Sequence, residues 1–207
     1  MELSIQKLSK AFNRKKVFSN LDLLISSGSR LAITGSNGSG KSTLLKIISG
    51  GNIATSGKII YQNKGITIKE DEVYKWVHFV APYNTVIEEL TLPELSQFHR
   101  DLGTLSSFND YHSWVSNLSY SFPPDHRIKT FSSGMKQRIK LGLVLLDNRP
   151  LILLDEPGSN LDLQGKDWFY SLLDKLSADQ TLIIATNDPT ERQYCKQELN
   201  IEAYSMG

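Results

Sequence analysis

Hydrophobic residues recur in two different patterns along this chain. Short continuous apolar runs, typical of strands buried on both faces of a parallel sheet, occur at residues 77–81, 151–154 and 182–185. Partial alternation over residues 2–9, and the apolar segments of 57–68 separated by the turn at 63–65, indicate an antiparallel hairpin sheet. The pattern predicts an α/β fold with a parallel sheet and a small antiparallel sheet.

A middle stretch, residues 86–130, carries apolar side chains at helical spacing among many polar ones. We expect a helical insert here, ended at residues 122–124 because two consecutive prolines cannot continue a helix. The core and the β subdomain would be formed by about residues 1–85 and 131–207. The length of 207 residues suits one domain, so the whole chain, 1–207, is predicted to be a single domain.

A glycine-rich turn at residues 35–42 separates a strand-like run from a helix-like run and fits G-x-x-x-x-G-K-[ST] at every fixed position. Gly35, Gly38 and Gly40 can take positive φ, so that successive N–H groups converge on phosphate oxygens without a Cβ in the way. A glycine-rich surface turn is the alternative, but strand before and helix after disfavour it. The chain is therefore predicted to bind a nucleoside triphosphate.

Side chains of this loop have separate predicted roles. Lys41 would reach the β- and γ-phosphates from a helix N-terminus, and the Ser42 hydroxyl would coordinate Mg²⁺. The other predicted nucleotide contacts of the loop are Asn37, Ser39 and Thr43.

Two acids follow the apolar run 151–154. Asp155 would end a buried strand at the sheet edge where open α/β sheets hold ligands, and is predicted to hold Mg²⁺ beside Ser42. Glu156 could deprotonate the attacking water as a general base. Acids also cap turns at such edges, and that alternative is weaker beside a phosphate loop.

A third motif lies upstream of that strand. Ser132 or Ser133, followed by Gly134, opens a predicted helix whose N–H groups and hydroxyl could bind a second anion. A simple helix cap explains this start equally well, and the order of the motifs along the chain favours the anion site.

Composition restricts the partners. Lys plus Arg number 23 and Asp plus Glu 22, a net charge of +1, so we expect no nucleic-acid partner. The single cysteine, Cys195, and a start without a basic segment followed by an apolar one favour the cytosol. With no run of about 20 apolar residues, any membrane role would act through another protein.

The series of motifs resembles the ATP-binding cassette (ABC) ATPase family over nearly the whole chain. Residues 131–137 resemble the signature Leu-Ser-Gly-Gly-Gln, with Ser133 in place of the first glycine, and residues 159–162 resemble the loop that communicates between subunits. The resemblance implies a P-loop NTPase (RecA-like) core with an N-terminal antiparallel β subdomain and a helical insert, and ATP with Mg²⁺ as cofactors.

The resemblance also implies positions and partners. Phe12 matches the aromatic that stacks on adenine, and Asp162 lies in the communicating loop. The family forms head-to-tail dimers, here with a second copy or a related cassette, in which two nucleotides lie between one subunit's phosphate loop and the other's signature serine.

Two positions depart from the family pattern. Tyr83 stands after the strand 77–81 where a glutamine is usual, and Asn187 follows the run 182–185 where a histidine is usual. A phenol is a poorer Mg²⁺ ligand than an amide oxygen, and asparagine cannot carry positive charge. We expect both residues to contact the nucleotide. Hydrolysis should be slow or strongly dependent on a partner, and not absent, because Lys41, Ser42, Asp155 and Glu156 are all in place.

The leading hypothesis is the ATPase subunit of a membrane transporter, peripheral to the inner face of the cell membrane. An integral membrane subunit would dock near residues 83–91 and the helix 92–102. Ordinary packing of the helical insert on itself is the alternative explanation of this amphipathic stretch. The first alternative is a nucleotide-gated regulatory module with weak hydrolysis. The second alternative is a soluble ABC protein that acts on DNA or ribosomes. Such proteins usually carry two cassettes, a long coiled-coil insertion or basic extensions, and this sequence shows none of these features.

Overall fold

The computed structural model describes residues 1–13, 15–105 and 107–205. These residues form two compact units. The first contains residues 1–81 and 149–156 and the chain from Ser177 onward, and the second contains residues 82–148 and 157–176. The expected division into a core and a helical subdomain at residues 86–130 stays a prediction.

The strands lie in the first unit. They are β1 (Glu2–Phe12), β2 (Lys15–Ile25), β3 (Arg30–Thr34), β4 (Ser56–Asn63), β5 (Ile66–Ile68), β6 (Val77–Val80), β7 (Leu151–Asp155), β8 (Thr181–Ala185) and β9 (Gln197–Asn200). An antiparallel sheet has the order β2-β1-β4-β5, and a second sheet, in which every pairing is parallel, has the order β6-β7-β8-β3-β9. Both predicted sheets are confirmed.

The helices are α1 (Lys41–Ile48), α2 (Leu92–Asp101), α3 (Tyr111–Val115), α4 (Ser133–Leu145), α5 (Leu163–Asp174) and α6 (Pro189–Arg192). Of these, α1 and α6 belong to the first unit and the others to the second. Short 3-10 turns lie at Glu70–Lys75, Ser116–Leu118, Ile128–Thr130 and Ile201–Tyr204. None of the helices in the described ranges is long and apolar enough to cross a membrane.

Burial explains the apolar strand runs. Every residue of β7 and of β8 is buried, as expected for central strands covered on both faces. The predicted hairpin is also present, because Asn63 pairs with Ile66 across Lys64 and Gly65, which both have positive φ.

Two strands have a weak sequence signal. In β2 the alternation is interrupted near Asn20, which has φ of 54° where the pairing with β1 is irregular. In β9 only Leu199 is buried, and the strand is recognised by its parallel pairing with β3. Neither strand was predicted, because a bulge and a polar edge strand both remove the expected periodicity.

The second unit supplies the helical stretch. Helix α2 begins after Thr91, whose hydroxyl accepts from the Glu94 N–H while the Glu94 carboxylate accepts from the Thr91 N–H. The prolines at 123 and 124 lie outside any helix, as predicted.

Candidate functional site

The phosphate loop, residues 35–42, connects β3 to α1 in the first unit. Gly35, Gly38 and Gly40 have φ of 141°, 83° and 108°. A Cβ at Gly40 would lie 2.5 Å from Val17 Cγ1, and one at Gly35 would lie 2.7 Å from Ser39 Oγ. The backbone conformation therefore favours glycine at these two positions, and a Cβ there would also displace the neighbouring side chains.

Helix α1 offers its N-terminus to the loop. Its N-cap is Gly40, and no side chain caps the N–H groups of the first turn, which includes Lys41, Ser42 and Thr43. Uncapped N–H groups at a helix start bind anions, because the helix dipole adds to their partial charge.

The Lys41 side chain folds back across the loop. Its Nζ donates to Gly35 O at 2.7 Å and to Ser36 O at 3.2 Å, and the residue is only 5% exposed. The ammonium group is therefore held beside the first residues of the loop, the position from which it can reach a terminal phosphate.

Asp155, the last residue of β7, is buried and accepts a hydrogen bond from the Ser42 side chain. Burial raises the pKa of this carboxyl group, and the charge of Glu156 adds to that effect, while the Ser42 hydrogen bond and Lys41 oppose it. A buried carboxylate beside a hydroxyl is a donor set that Mg²⁺ prefers. These residues fit the predicted metal.

Glu156 turns the chain at the sheet edge. It is exposed, its φ is 47°, and its N–H donates to Ala185 O at 2.9 Å. A left-handed conformation at a non-glycine residue is uncommon and is often retained at functional sites. The carboxylate is accessible directly after the buried Asp155.

Two side chains from elsewhere in the first unit bind the start of the loop. The Gly35 N–H donates to Asn187 Oδ1 at 3.4 Å, and the Ser36 N–H donates to Glu202 Oε1 at 3.0 Å. The Ser36 hydroxyl donates to the same Glu202 oxygen, and these bonds, with the charge of Lys41, lower the Glu202 pKa. Sequence reasoning missed Glu202, because no motif contains it.

Phe12 ends β1 and is 49% exposed. Lys10 Nζ lies 4.6 Å from the centre of its ring, and this ammonium group also donates to Asn52 Oδ1 at 3.2 Å and to Ile53 O at 2.7 Å. The exposed ring is thus available for stacking and carries a cation–π contact.

The signature segment, residues 131–137, lies in the second unit. Ser132 is the N-cap of α4, and its hydroxyl accepts from the Met135 N–H at 3.2 Å, while Ser133 is the first helical residue. A Cβ at Gly134 would lie 2.9 Å from Asn160 O. The glycine therefore allows the communicating loop, residues 159–162, to approach the start of α4.

Two further contacts join these segments. Gln137 Nε2 donates to Pro157 O at 2.7 Å, and Arg138 Nη2 lies 3.5 Å from Asp162 Oδ1. Asp162 is also the N-cap of α5 and accepts from the Gly165 N–H at 2.7 Å. The structure thus brings together two motifs that sequence reasoning treated separately.

Tyr83 lies in the second unit, in the loop after β6, and is 88% exposed. Its phenol is accessible to a ligand or a partner protein. Its predicted nucleotide contact stays a prediction.

Comparison with known proteins decides the family. The family model described as ABC transporter matches residues 18–159. The chain belongs to the ABC transporter family. This ABC chain is an ATP-binding and ATP-hydrolysing protein, and the family match favours a transporter ATPase over a regulatory module.

Similar proteins include ATP-binding proteins of two kinds. The chain is 30% identical to the cytochrome c biogenesis ATP-binding export protein CcmA of Paraburkholderia xenovorans, over 89% of each chain. It is 28% identical to the lipoprotein-releasing system ATP-binding protein LolD of Leptospira interrogans, over 96% of this chain and 88% of LolD.

Solved structures confirm the fold. An ABC transporter ATP-binding protein from Pyrococcus furiosus superposes with a TM-score of 0.82 at 24% identity over 100% of both chains. The cassette MJ0796, solved as a dimer with ADP and Pi, gives 0.80 at 22% identity over 96% of this chain and 93% of its own. The predicted α/β P-loop NTPase fold with an antiparallel β subdomain is confirmed.

Proposed function

We propose that this ABC ATPase binds ATP with Mg²⁺ at residues 35–43 and hydrolyses it to drive a membrane transporter. The observation that carries the proposal is the position of Lys41 Nζ, 2.7 Å from Gly35 O beside a loop of glycines with positive φ. Uncapped N–H groups of α1 would bind the phosphates, and the Phe12 ring would stack on adenine.

Ser42 and Asp155 would hold Mg²⁺. Mg²⁺ held there would supply positive charge that offsets the charge developing on the phosphates. The raised pKa of Asp155 supports this role, because a buried ionised carboxylate is stabilised by a cation.

Hydrolysis requires a water molecule opposite the leaving ADP. Glu156 would accept the proton of that water as it attacks the γ-phosphorus, and the bond from this phosphorus to the β-γ bridging oxygen would break. Asn187 would donate its amide N–H to the γ-phosphate, since its Oδ1 accepts from Gly35. This donor carries no positive charge, and we expect slow turnover.

The proposal includes a dimer and a membrane subunit. Ser132, Ser133 and Gly134, at the N-terminus of α4, would bind the nucleotide held by a second cassette in head-to-tail orientation. Asp162, whose Oδ1 lies 3.5 Å from Nη2 of Arg138 in the same helix, would contact that nucleotide from the communicating loop. The exposed loop with Tyr83 would contact nucleotide or the integral membrane subunit at the inner face of the membrane.

The test is Mg²⁺-ATP binding followed by turnover. Wild-type protein should bind Mg²⁺-ATP, and Lys41→Ala should lose the affinity. Glu156→Gln should retain binding and lower the hydrolysis rate by about 10²–10⁴. Absence of binding in the wild type, or full binding in Lys41→Ala, would contradict the proposed function, and unchanged turnover in Glu156→Gln would remove Glu156 from its role.

A further inference from the structure

Residues Ile201–Tyr204 form a short turn that contacts the phosphate loop, although no motif of the sequence includes it. The Glu202 carboxylate accepts two hydrogen bonds from Ser36, one from the N–H at 3.0 Å and one from the hydroxyl. A single carboxylate oxygen thereby binds both donors of one loop residue. Charge-assisted bonds of this kind are stronger than those between neutral groups.

The turn itself is held in place on both sides of Glu202. The Glu202 N–H donates to Asn200 Oδ1 at 3.0 Å, and Ile201 is fully buried. A Cβ at Gly35 would lie 2.9 Å from Ile201 Cγ2, so the isoleucine packs directly against the first glycine of the loop. The carboxylate is therefore positioned by its neighbours.

The same turn also reaches the other end of the loop. Ser205, next in the chain, donates its hydroxyl to Val17 O at 3.2 Å. The Val17 side chain in turn occupies the space beside Gly40. Both ends of the phosphate loop are thus connected to residues 200–205, at the start through Glu202 and at the end through Val17.

Ser36 marks one end of the phosphate site. The Lys41 ammonium group lies 3.2 Å from Ser36 O, so residues 35 and 36 line the end of the loop at which this lysine would contact the γ-phosphate. Because the Ser36 N–H is bound by Glu202, that N–H serves to fix the loop, and α1 supplies uncapped N–H groups to the phosphates.

We propose that Glu202 is a positioning residue for the γ-phosphate end of the loop, acting through its two hydrogen bonds to Ser36. The inference rests on the proposed nucleotide site. Removing the carboxylate should release residues 35 and 36 and with them the Lys41 ammonium group, which is held by their carbonyl groups. ATP should lose more affinity than ADP, because ADP has no γ-phosphate.

The experiment compares Glu202→Ala, Glu202→Gln and Glu72→Ala with the wild type by equilibrium titration with Mg²⁺-ATP and Mg²⁺-ADP. A glutamine keeps an acceptor oxygen for Ser36, whereas alanine removes it. Glu72 is the matched control, a glutamate of the same unit whose side chain is 45% exposed and bonds Lys75 at 2.8 Å. Thermal unfolding of each variant checks the fold.

Glu202→Ala should weaken Mg²⁺-ATP binding by about tenfold and Mg²⁺-ADP binding by less than about threefold. Glu202→Gln should restore part of the ATP affinity, because its neutral amide oxygen accepts the same bonds more weakly than a carboxylate does. Glu72→Ala should bind as the wild type does. The inference is overturned if Glu202→Ala binds ATP normally or loses ATP and ADP affinity equally. The inference is also overturned if Glu202→Gln binds Mg²⁺-ATP as weakly as Glu202→Ala, because the acceptor oxygen would then not matter. It is overturned as well if Glu202→Gln binds Mg²⁺-ATP more tightly than the wild type, since loss of charge repulsion would then be the cause.

Lys41→Ala separates this inference from the proposed function. If Lys41→Ala loses Mg²⁺-ATP while Glu202→Ala binds it normally, only the role of Glu202 is wrong. If the wild type itself binds no Mg²⁺-ATP, the proposed nucleotide site fails first.

Discussion

Arg138 offers a quantitative test of how the signature helix is attached to the second unit. The residue is only 3% exposed. Its Nη1 donates to Leu118 O at 3.3 Å and to Ser119 O at 3.0 Å, and its guanidinium carbon lies 5.4 Å from the ring centres of Tyr120 and Trp168. We therefore expect Arg138→Met to destabilise this unit strongly.

The magnitude follows from these contacts. An unsatisfied buried carbonyl costs about 1–3 kcal/mol, and each lost cation–π contact costs about 0.5–1 kcal/mol. The pair with Asp162 adds little, because the Asp162 side chain is 73% exposed. Only the Leu118 carbonyl is buried, because Ser119 is exposed and water can replace the lost bond there. With one buried carbonyl and two rings, Arg138→Met should lower the free energy of unfolding by about 2–5 kcal/mol.

The assay is urea unfolding followed by tryptophan fluorescence in a Trp76→Phe background. Since Trp76 belongs to the first unit, the remaining signal reports the second unit, which contains Trp114 and Trp168. Arg127→Met, which removes an exposed arginine of the same unit, should change stability by less than about 0.5 kcal/mol. If Arg138→Met lowers the free energy of unfolding by less than about 1 kcal/mol, the reasoning is refuted.

Three further predictions concern the first unit. Burial raises the pKa of Asp155 above its unfolded value, so the ionised form of this carboxyl group costs stability above that pKa. Asp155→Asn should therefore raise the Tm of the nucleotide-free protein at pH 7, with the gain lost in acid. The same substitution should remove the Mg²⁺ dependence of ATP binding. A Tm gain that persists unchanged in acid would contradict the first part. Asn187→His should increase ATP turnover by about tenfold, since a histidine can carry positive charge beside the γ-phosphate. An unchanged turnover rate would show that this position does not tune hydrolysis. Gly40→Ala should reduce Mg²⁺-ATP affinity more than Gly38→Ala does. The reason is that a Cβ at Gly40 would lie 2.5 Å from Val17 Cγ1, whereas no atom lies within 4 Å of a Cβ at Gly38. Equal losses of affinity would mean that backbone strain alone matters.

Much of the fold and of the candidate site could be predicted from contiguous segments. The loop containing Lys41 and the strand ending at Asp155 can each be recognised from a few neighbouring residues. Backbone conformation, the start of a helix and an apolar strand are all local properties of the sequence. The sheet rules then predict that both lie at one edge, and the hydrogen bond between Ser42 and Asp155 agrees with that prediction.

Other features depend on residues far apart in the chain. Glu202 meets Ser36 across 166 positions, and Arg138 meets Ser119 across 19. Strand β9 was missed because only one of its residues is buried, and β2 because a bulge at Asn20 interrupts its alternation. No local periodicity encodes such pairings.

The amino-acid sequence by itself determined the phosphate loop, the acidic strand end, the signature helix and the class of fold, since each depends on neighbouring residues and on the period of burial. Only the tertiary structure decided which side chains hold those motifs in place. Glu202 binds the loop, Lys10 lies over Phe12, and Arg138 joins α4 to Asp162. The physical reason is that such contacts form between elements brought together by packing of the core, and their partners are not adjacent in the chain.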